Sequence, residues 1–350
     1  MIRLKVFIPV LIFSLSLYSF IQAQPKRTFE IVCIAYYNVE NLFDTINDKE
    51  LVANDEFTPE AQKKWTSARY YEKQGNMAYA ISQIGLDLTP DGAALVGVSE
   101  IENRGVLEDL VKQDAISNRN YQIVHYDSPD RRGVDNGLLY QPKYFQVTNS
   151  KSYRLTIPDD DRFRSRDPLV VTGLLKGEPI HIIVNHWPSR SGGEKKSRPK
   201  RNAAGALNRH IVDSLLTLNP DAKILIMGDL NDDPVNPSVL QYLRAKGKED
   251  QLQPGDLFNP YHKLYKDGIG SLAYRDAWNL FDQIIVSQGL LGDEKGSFKL
   301  HKAYVFNKTF LVQKEGAFAG YPWRTFVGNR YMGGFSDHFP VYVYLIKEVL

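Results

Sequence analysis

The sequence predicts a layered α/β sandwich, two packed sheets with helices on the outside. Three observations point there. Nine runs rich in β-branched and aromatic residues recur along the chain. Several are apolar at nearly every position, the pattern of strands covered on both faces. Helical stretches fall between these runs. In order, the runs are FEIVCIAYYN (29–38), AALVGVS (93–99), YQIVHY (121–126), NGLLY (136–140), LVVTGLL (169–175), PIHIIVNHW (179–187), AKILIMGDL (222–230), FDQIIVS (281–287) and FPVYVYL (339–345). Thr58-Pro59-Glu60 reads as a cap, a first-turn proline and an early acid, opening a helix that continues through Trp65, Met77, Ile81 and Ile84 to Gly85. A second helix is expected from about Asn202 to Leu218, with Ala204, Leu207, Ile211, Leu215 and Leu218 on one face and Asn219-Pro220 ending it. No internal repeat, low-complexity segment or long linker divides the chain, so residues 24–350 are read as one domain.

The first residues read differently. Arg3 and Lys5 precede VFIPVLIFSLSLYSFI, and Gln22-Ala23-Gln24 follows. This charged, apolar, small-residue order is that of a secretory signal peptide, which sets residues 1–23 apart as a leader. A membrane anchor is the alternative, but the apolar run is short for a span of ~20 residues. An exported protein, periplasmic or extracellular, is therefore expected, with no stable membrane association. The single cysteine, Cys33, excludes an intrachain disulfide and leaves the core or a metal to stabilise the fold. The chain has 43 Lys and Arg against 41 Asp and Glu, and Arg3 and Lys5 belong to the leader, so residues 24–350 are formally neutral with His uncharged. A neutral chain lacks the global field of a non-specific nucleic-acid binder, and local patches then matter more than the total.

Polar residues interrupt the apolar runs at their ends. Asn38 ends the first run, Glu100 the second, His186 the sixth, and Asp229 with Asn231 the seventh; Asp282 begins FDQIIVS, and Asp337 and His338 precede the last. Burial beside such runs is costly unless these groups meet one another or an ion. An Asn, several carboxylates and a His are hard oxygen ligands plus a base, the set that suits Mg²⁺, Mn²⁺ or Ca²⁺. Seven histidines and one cysteine, with no HxxxH or CxxC, argue against zinc. A divalent ion, a carboxylate to activate water and a His to stabilise charge together fit phosphoester hydrolysis. The plainer readings are a polar turn at Asp337-His338, a strand-end cap at Glu100 and an Asx turn at Asp229-Asn231; Glu40 and Asn41 compete with Asn38. His125 and His181 read as structural.

Taken in order, NVENLF around Asn38, Ser99-Glu100, NHWPSR from Asn185 to Arg190, GDLND from Gly228 to Asp232, FDQI with Asp282, and SDHFPV from Ser336 to Val341 resemble the motifs of the endonuclease/exonuclease/phosphatase superfamily, the group with the DNase I-like fold. The likeness spans about residues 30–346. It implies a four-layered α/β/β/α sandwich with the active site at one end of the two sheets. It further implies Glu100 as principal metal ligand, with Asn38 and Asp337 on or near the ion. Asp229 would activate or orient the attacking water, and Asn231 would fix substrate or metal. His186 and His338 would flank the scissile phosphate, with Asp282 orienting the His338 imidazole. One metal or two is left open. Asp135, in the segment Arg131–Asn136, either orients His186 or belongs to a surface turn.

Two segments bear on the substrate. Between His186 and His210 there are seven Lys or Arg against the single acid Glu194, and the loop expected at 189–201 would draw a polyanion or simply be solvated. Arg190 follows the sixth run closely and is placed to reach a phosphate. The stretch from Gly316 to Phe335 carries Tyr321, Trp323, Phe326 and Tyr331, to stack on bases, line a pocket or pack on the protein; it leads into Ser336-Asp337-His338, which makes Trp323 and Arg324 substrate-binding candidates. The expectation is a secreted, divalent-metal-dependent phosphodiesterase, a nuclease on DNA or RNA, acting as a monomer. The alternatives are a phosphatase or phospholipase-type hydrolase of a small or lipid phosphoester, and a non-catalytic binding protein on the same fold.

Overall fold

The computed structural model describes residues 27–47, 56–158, 160–292 and 294–349. The leader expected at 1–23 lies outside the described residues. Six strands make one sheet, in the order Lys299–Val305, Val341–Val349, Thr28–Leu42, Ala93–Ile101, Asp135–Tyr140, Gln122–His125. Seven make a second, in the order Phe145–Ser152, Leu169–Leu175, Glu178–His186, Ile224–Asp229, Asp282–Ser287, Leu257–Phe258, Ala245–Lys246.

Alternation along the central strands divides the apolar side chains into three layers. Val32, Ile34 and Tyr36 of the first strand meet Ile182, Val184, Leu225, Met227 and Ile284 between the sheets. Cys33, Ala35 and Tyr37 face the other way, onto the helices Ser67–Gln83 and Arg104–Val111. On the far side Ile183, Trp187, Ile224, Ile226 and Ile285 receive Ala204, Ile211 and Val212 of the helix Glu194–Leu218. The result is the α/β/β/α sandwich. All nine expected strands are present. Phe145–Ser152 and Lys299–Val305 are additional; both lie at sheet edges and bury few residues fully, so no apolar run marks them.

Both helix starts differ from expectation. The first helix begins at Ser67, not Thr58. The amides of Ala61 and Trp65 both donate to the Thr58 carbonyl, and Lys64 takes a left-handed backbone with φ 48°, which a helix of L-residues does not accept. The chain turns there and buries Trp65 among Phe57, Phe326 and Tyr331. The second helix begins at Glu194 rather than near Asn202 and contains Pro199. An interior proline costs a hydrogen bond. Here Glu194 holds Arg198 through two bonds of 2.9 Å, Ser197 donates to the Gly193 carbonyl at 2.8 Å, and Arg201 is buried in an ion pair with Asp232 at 2.7 Å. These ties extend the helix through most of the expected 189–201 loop. Among the described residues no helix is long and apolar enough to cross a membrane.

Candidate active site

Sheet register places the candidates together. In the second sheet His186 pairs with Asp229, and Asp229 with Asp282, so three of them stand abreast on neighbouring strands. In the first, Asn38 pairs with Ser99, next to Glu100. Glu100 lies where its strand slips register against Asp135–Tyr140, with φ 65°. Such a conformation costs on the order of 1–3 kcal/mol for a non-glycine residue, and a bulge re-aims the side chain it carries.

Each segment alternates its polar side chains between a structural side and the site. Asn185 faces the outer helix, accepting from Trp187 Nε1 at 3.1 Å and Asn208 Nδ2 at 2.8 Å, so its neighbour His186 faces inward. Gly228 lets the two parallel strands close up, since a Cβ there would lie 2.4 Å from the Asn185 carbonyl. Gln283 anchors the Asp282 strand by accepting from Asn259 and donating to the carbonyls of Asp232 and Leu280. Ser336 ties the segment entering the last strand to the first strand: its hydroxyl donates to the Asn38 carbonyl at 2.7 Å and accepts from the His338 amide at 3.1 Å.

Asp229 Oδ2 is the hub. It accepts from Asn38 Nδ2 at 3.1 Å and lies 3.5 Å from His186 Nε2 and 3.9 Å from His338 Nε2. Its other oxygen accepts from the Asn231 amide at 2.9 Å. Glu100 Oε1 stands 3.8 Å from both His186 Nε2 and the Arg132 guanidinium, and Oε2 accepts from the Asn41 amide at 3.0 Å. His338 Nδ1 meets Asp282 Oδ2 at 2.7 Å, and Ser271 donates to the same oxygen. Asp337 Oδ1 is 3.9 Å from His338 Nε2.

Their surroundings shift the two histidines in opposite directions. Burial pulls His338 down, but the charge and hydrogen bond of Asp282, with Asp229 and Asp337, outweigh it and keep the imidazole well above its ordinary value. Burial lowers His186 and the cations Arg166, Arg132 and His338 lower it further, to well below the ordinary value. The carboxylates nearest it stand at 3.5 and 3.8 Å, beyond good hydrogen-bond distance, so burial wins. Its Nδ1 is buried without a protein hydrogen-bond partner. Burial pushes Asp229 up to about 6, against the pull of the charged His338.

Not every expected residue joins this cluster. Asn231 turns its Nδ2 to the Trp187 carbonyl at 2.9 Å, fixing the chain just after His186. Arg190 does not extend toward a substrate: it donates to the Asn231 carbonyl at 3.0 Å, to Asp232 at 3.1 Å and to Asp233 at 3.2 Å, and lies over the Phe281 ring at 4.4 Å. The two acids following Asn231 capture it. Trp323 packs against Phe335 at 5.9 Å and donates to the Met332 carbonyl at 3.2 Å, serving its own loop. Arg324 does reach the site, 3.3 Å from Asp337 Oδ2. Asp135 orients His125 at 3.1 Å rather than His186, and its other oxygen accepts from the Ser128 amide. His125 is thus paired, and with Asp127 and Asp135 it offers ligand atoms within 4.8 Å of one another, apart from the expected metal ligands.

A buried pair beneath the site was not read from the sequence. Lys73 donates to Thr325 Oγ1 at 2.6 Å and to the Phe335 carbonyl at 3.2 Å, while Glu40 accepts from the Thr325 amide at 2.7 Å. Together they clamp both ends of the segment that delivers Asp337 and His338. The signal was available: Lys73 shares the buried helix stripe with Met77, Ala80 and Ile81.

The sequence profile described as "Endonuclease/Exonuclease/phosphatase family" matches residues 33–347. No curated protein matches the chain. Among solved structures, an endonuclease/exonuclease/phosphatase family protein from Bacteroides thetaiotaomicron superposes with TM-score 0.54 at 17% identity, covering 92% of this chain and 97% of that one. A Bacteroides thetaiotaomicron mannosyl-6-phosphatase gives 0.53 at 18%, covering 90% and 99%. D. rerio TDP2 complexed with single strand DNA product gives 0.52 at 14%, covering 90% and 98%. Likeness at these identities establishes the fold.

Proposed function

This chain belongs to the endonuclease/exonuclease/phosphatase family, whose members are phosphoester hydrolases, and from that premise we propose that it is an exported, divalent-metal-dependent phosphodiesterase cleaving nucleic-acid strands. The observation that carries the reading is the convergence on Asp229 Oδ2, where Asn38 at 3.1 Å, His186 at 3.5 Å and His338 at 3.9 Å arrive from both sheets. The charged, apolar leader composition supports export.

Glu100, Asn38 and Asp337 offer oxygen ligands only. Among the described residues Glu100 Oε1 accepts no hydrogen bond, with His186 Nε2 and the Arg132 guanidinium both at 3.8 Å. That set fits Mg²⁺, with Mn²⁺ or Ca²⁺ as substitutes. When bound, the ion supplies Lewis-acid polarisation of the phosphoryl group. The protein supplies the rest. Asp229, its oxygens fixed by Asn38 and the Asn231 amide, takes the proton of the attacking water. His338, kept protonated by Asp282, donates to a phosphoryl oxygen as negative charge builds there. His186 stays neutral and presents Nε2 on the side of Asp229 and Glu100. Arg324, beside Asp337, adds a positive charge at the rim.

A second reading, hydrolysis of a small phosphoester, is favoured by one observation. Four of the seven cations between His186 and His210 are paired internally, Arg190 and Arg201 with Asp232, Arg198 with Glu194 and Arg209 with Asp213. That stretch therefore presents less charge to a polyanion than its composition suggests. The deciding experiment uses purified residues 24–350 with Mg²⁺, Mn²⁺ or Ca²⁺ against plasmid DNA, RNA, sphingomyelin, inositol phosphates and sugar phosphates, with EDTA and His338→Ala controls. Metal-dependent cleavage of nucleic acid, lost in the variant, is expected. Turnover of small phosphomonoesters alone would overturn the nuclease part, and turnover insensitive to EDTA would overturn the metal part.

A further inference from the structure

Several cations without a carboxylate partner line one groove. Two adjoining cavities, of about 370 and 440 Å³, share Phe163, Arg164 and Lys200. The first is further lined by Arg166, Ser189 and Lys196, the second by Arg131 and Arg162. Arg131, Arg162, Arg164, Lys196 and Lys200 have no carboxylate partner among the described residues. Arg131 and Arg164 donate only to backbone carbonyls, and Lys200 lies over the Phe163 ring at 5.2 Å. Among the described residues Asp160 is the only carboxylate on the lining of either cavity. The contrast with Arg190, Arg198, Arg201 and Arg209, each held by an acid of the protein, is what makes the groove distinctive.

The groove also adjoins the candidate active site. Its floor residue Arg166 donates to the Trp187 carbonyl, next to His186, and Pro188 and Ser189 continue from that strand end into the lining. On the other side Arg131 precedes Arg132, whose guanidinium stands 3.8 Å from Glu100. Unpaired guanidinium and ammonium groups spread over two cavities suit successive phosphates better than one isolated anion, and Phe163 offers an apolar face between them.

We propose that this groove is a strand-binding subsite, taking the phosphates of a single-stranded polynucleotide on one side of the bond being cleaved. The inference rests on the nuclease reading above, and deepens it by naming where the rest of the strand lies. Arg162 and Lys200 contact phosphates, and they take no part in the chemical step.

The test is a binding measurement that requires no turnover, so its failure is separable from failure of the catalytic reading. Fluorescence anisotropy of a labelled single-stranded DNA oligonucleotide is followed against salt in EDTA, for the full chain in a His338→Ala background. Adding Arg162→Gln and Lys200→Gln together is expected to weaken binding about tenfold or more and to reduce the salt slope by about 1.4. The charge-matched pair Lys112→Gln and Lys266→Gln, outside the groove, is expected to change binding less than about twofold, with thermal unfolding of both pairs unchanged. Equal effects from the two pairs would overturn the proposal. So would displacement of the oligonucleotide by inorganic phosphate beyond the effect of matched ionic strength, since the groove would then hold a lone anion. In the active background the groove pair should leave hydrolysis of a small phosphodiester unaltered while raising KM for the oligonucleotide; a loss of kcat on both substrates would also count against it.

Discussion

At the scale of single residues the decisive contact is the 2.7 Å bond between Asp282 and His338 Nδ1. It fixes the tautomer that leaves Nε2 toward Asp229, and with the neighbouring acids it raises the imidazole against the effect of burial. A raised value means that the protonated form persists below the folded-state pKa and is lost as pH rises through it. If His338 acts as the imidazolium, activity must fall on the alkaline side. Asp282→Asn should lower kcat roughly 10²–10⁴-fold and move the alkaline limb of the pH–rate profile to lower pH. An alkaline limb left in place by Asp282→Asn would show that His338 is not the group titrating there. Asp282 and His338 were both legible, because a charged residue at the mouth of an apolar run needs a partner. Arg190 misled for a related reason. Its position after the His186 strand was read correctly, but whether a cation faces substrate or protein is decided by Asp232 and Asp233, which are near it only in the folded chain.

Whole elements were legible where burial is two-sided and illegible where local chemistry serves two conformations. The central strands announced themselves as unbroken apolar runs. Thr58-Pro59-Glu60 is as good a turn as a helix start, and the outcome was set by the non-local burial of Trp65. The Glu194–Leu218 helix began early because Arg201, a charge by composition, is an interior residue in the fold. The Ser67–Gln83 helix holds the site through Lys73, whose ammonium is pulled down to about 8 by burial while Glu40, opposite it across Thr325, is pushed up to about 7 by the same cause. Removing one partner strands the other. Lys73→Met should therefore destabilise the protein by about 3 kcal/mol, and the double variant Lys73→Met with Glu40→Gln should recover most of that loss, as read by urea unfolding. A single-variant cost within ~0.5 kcal/mol, the usual range for a surface change, would show that the clamp does not matter.

Over the whole molecule, the two sheets that must stay in register to assemble the site are also tied by charge at the opposite end of their strands. Glu178 of the second sheet pairs with Lys223, just before the Ile224–Asp229 strand, and, at 3.2 Å, with Lys347 of the first sheet, and accepts from the Phe298 amide at 3.0 Å. Burial pushes Glu178 up, but these partners together outweigh it and hold the carboxyl below its ordinary value. A depressed folded-state value gives stability that is present above the unfolded pKa of about 4.3 and is lost as pH falls through the folded one. Glu178→Gln should cost about 1 kcal/mol at neutral pH after allowance for solvent screening and should flatten the loss of stability between roughly pH 5 and 3; an unchanged acid limb in thermal unfolding would remove Glu178 from the account. The formal neutrality of residues 24–350 conceals a division that composition cannot show, with some basic side chains neutralised in the interior and others left open beside the site.

The central claim is that Asn38, Glu100 and Asp337 gather round one hard cation facing Asp229 and the two histidines. Crystals grown with Mn²⁺ and measured for anomalous scattering test it directly. A peak within coordination distance of Glu100 and Asp337, absent in Glu100→Gln, is the expected result. A peak found only at His125, Asp127 and Asp135 would contradict it.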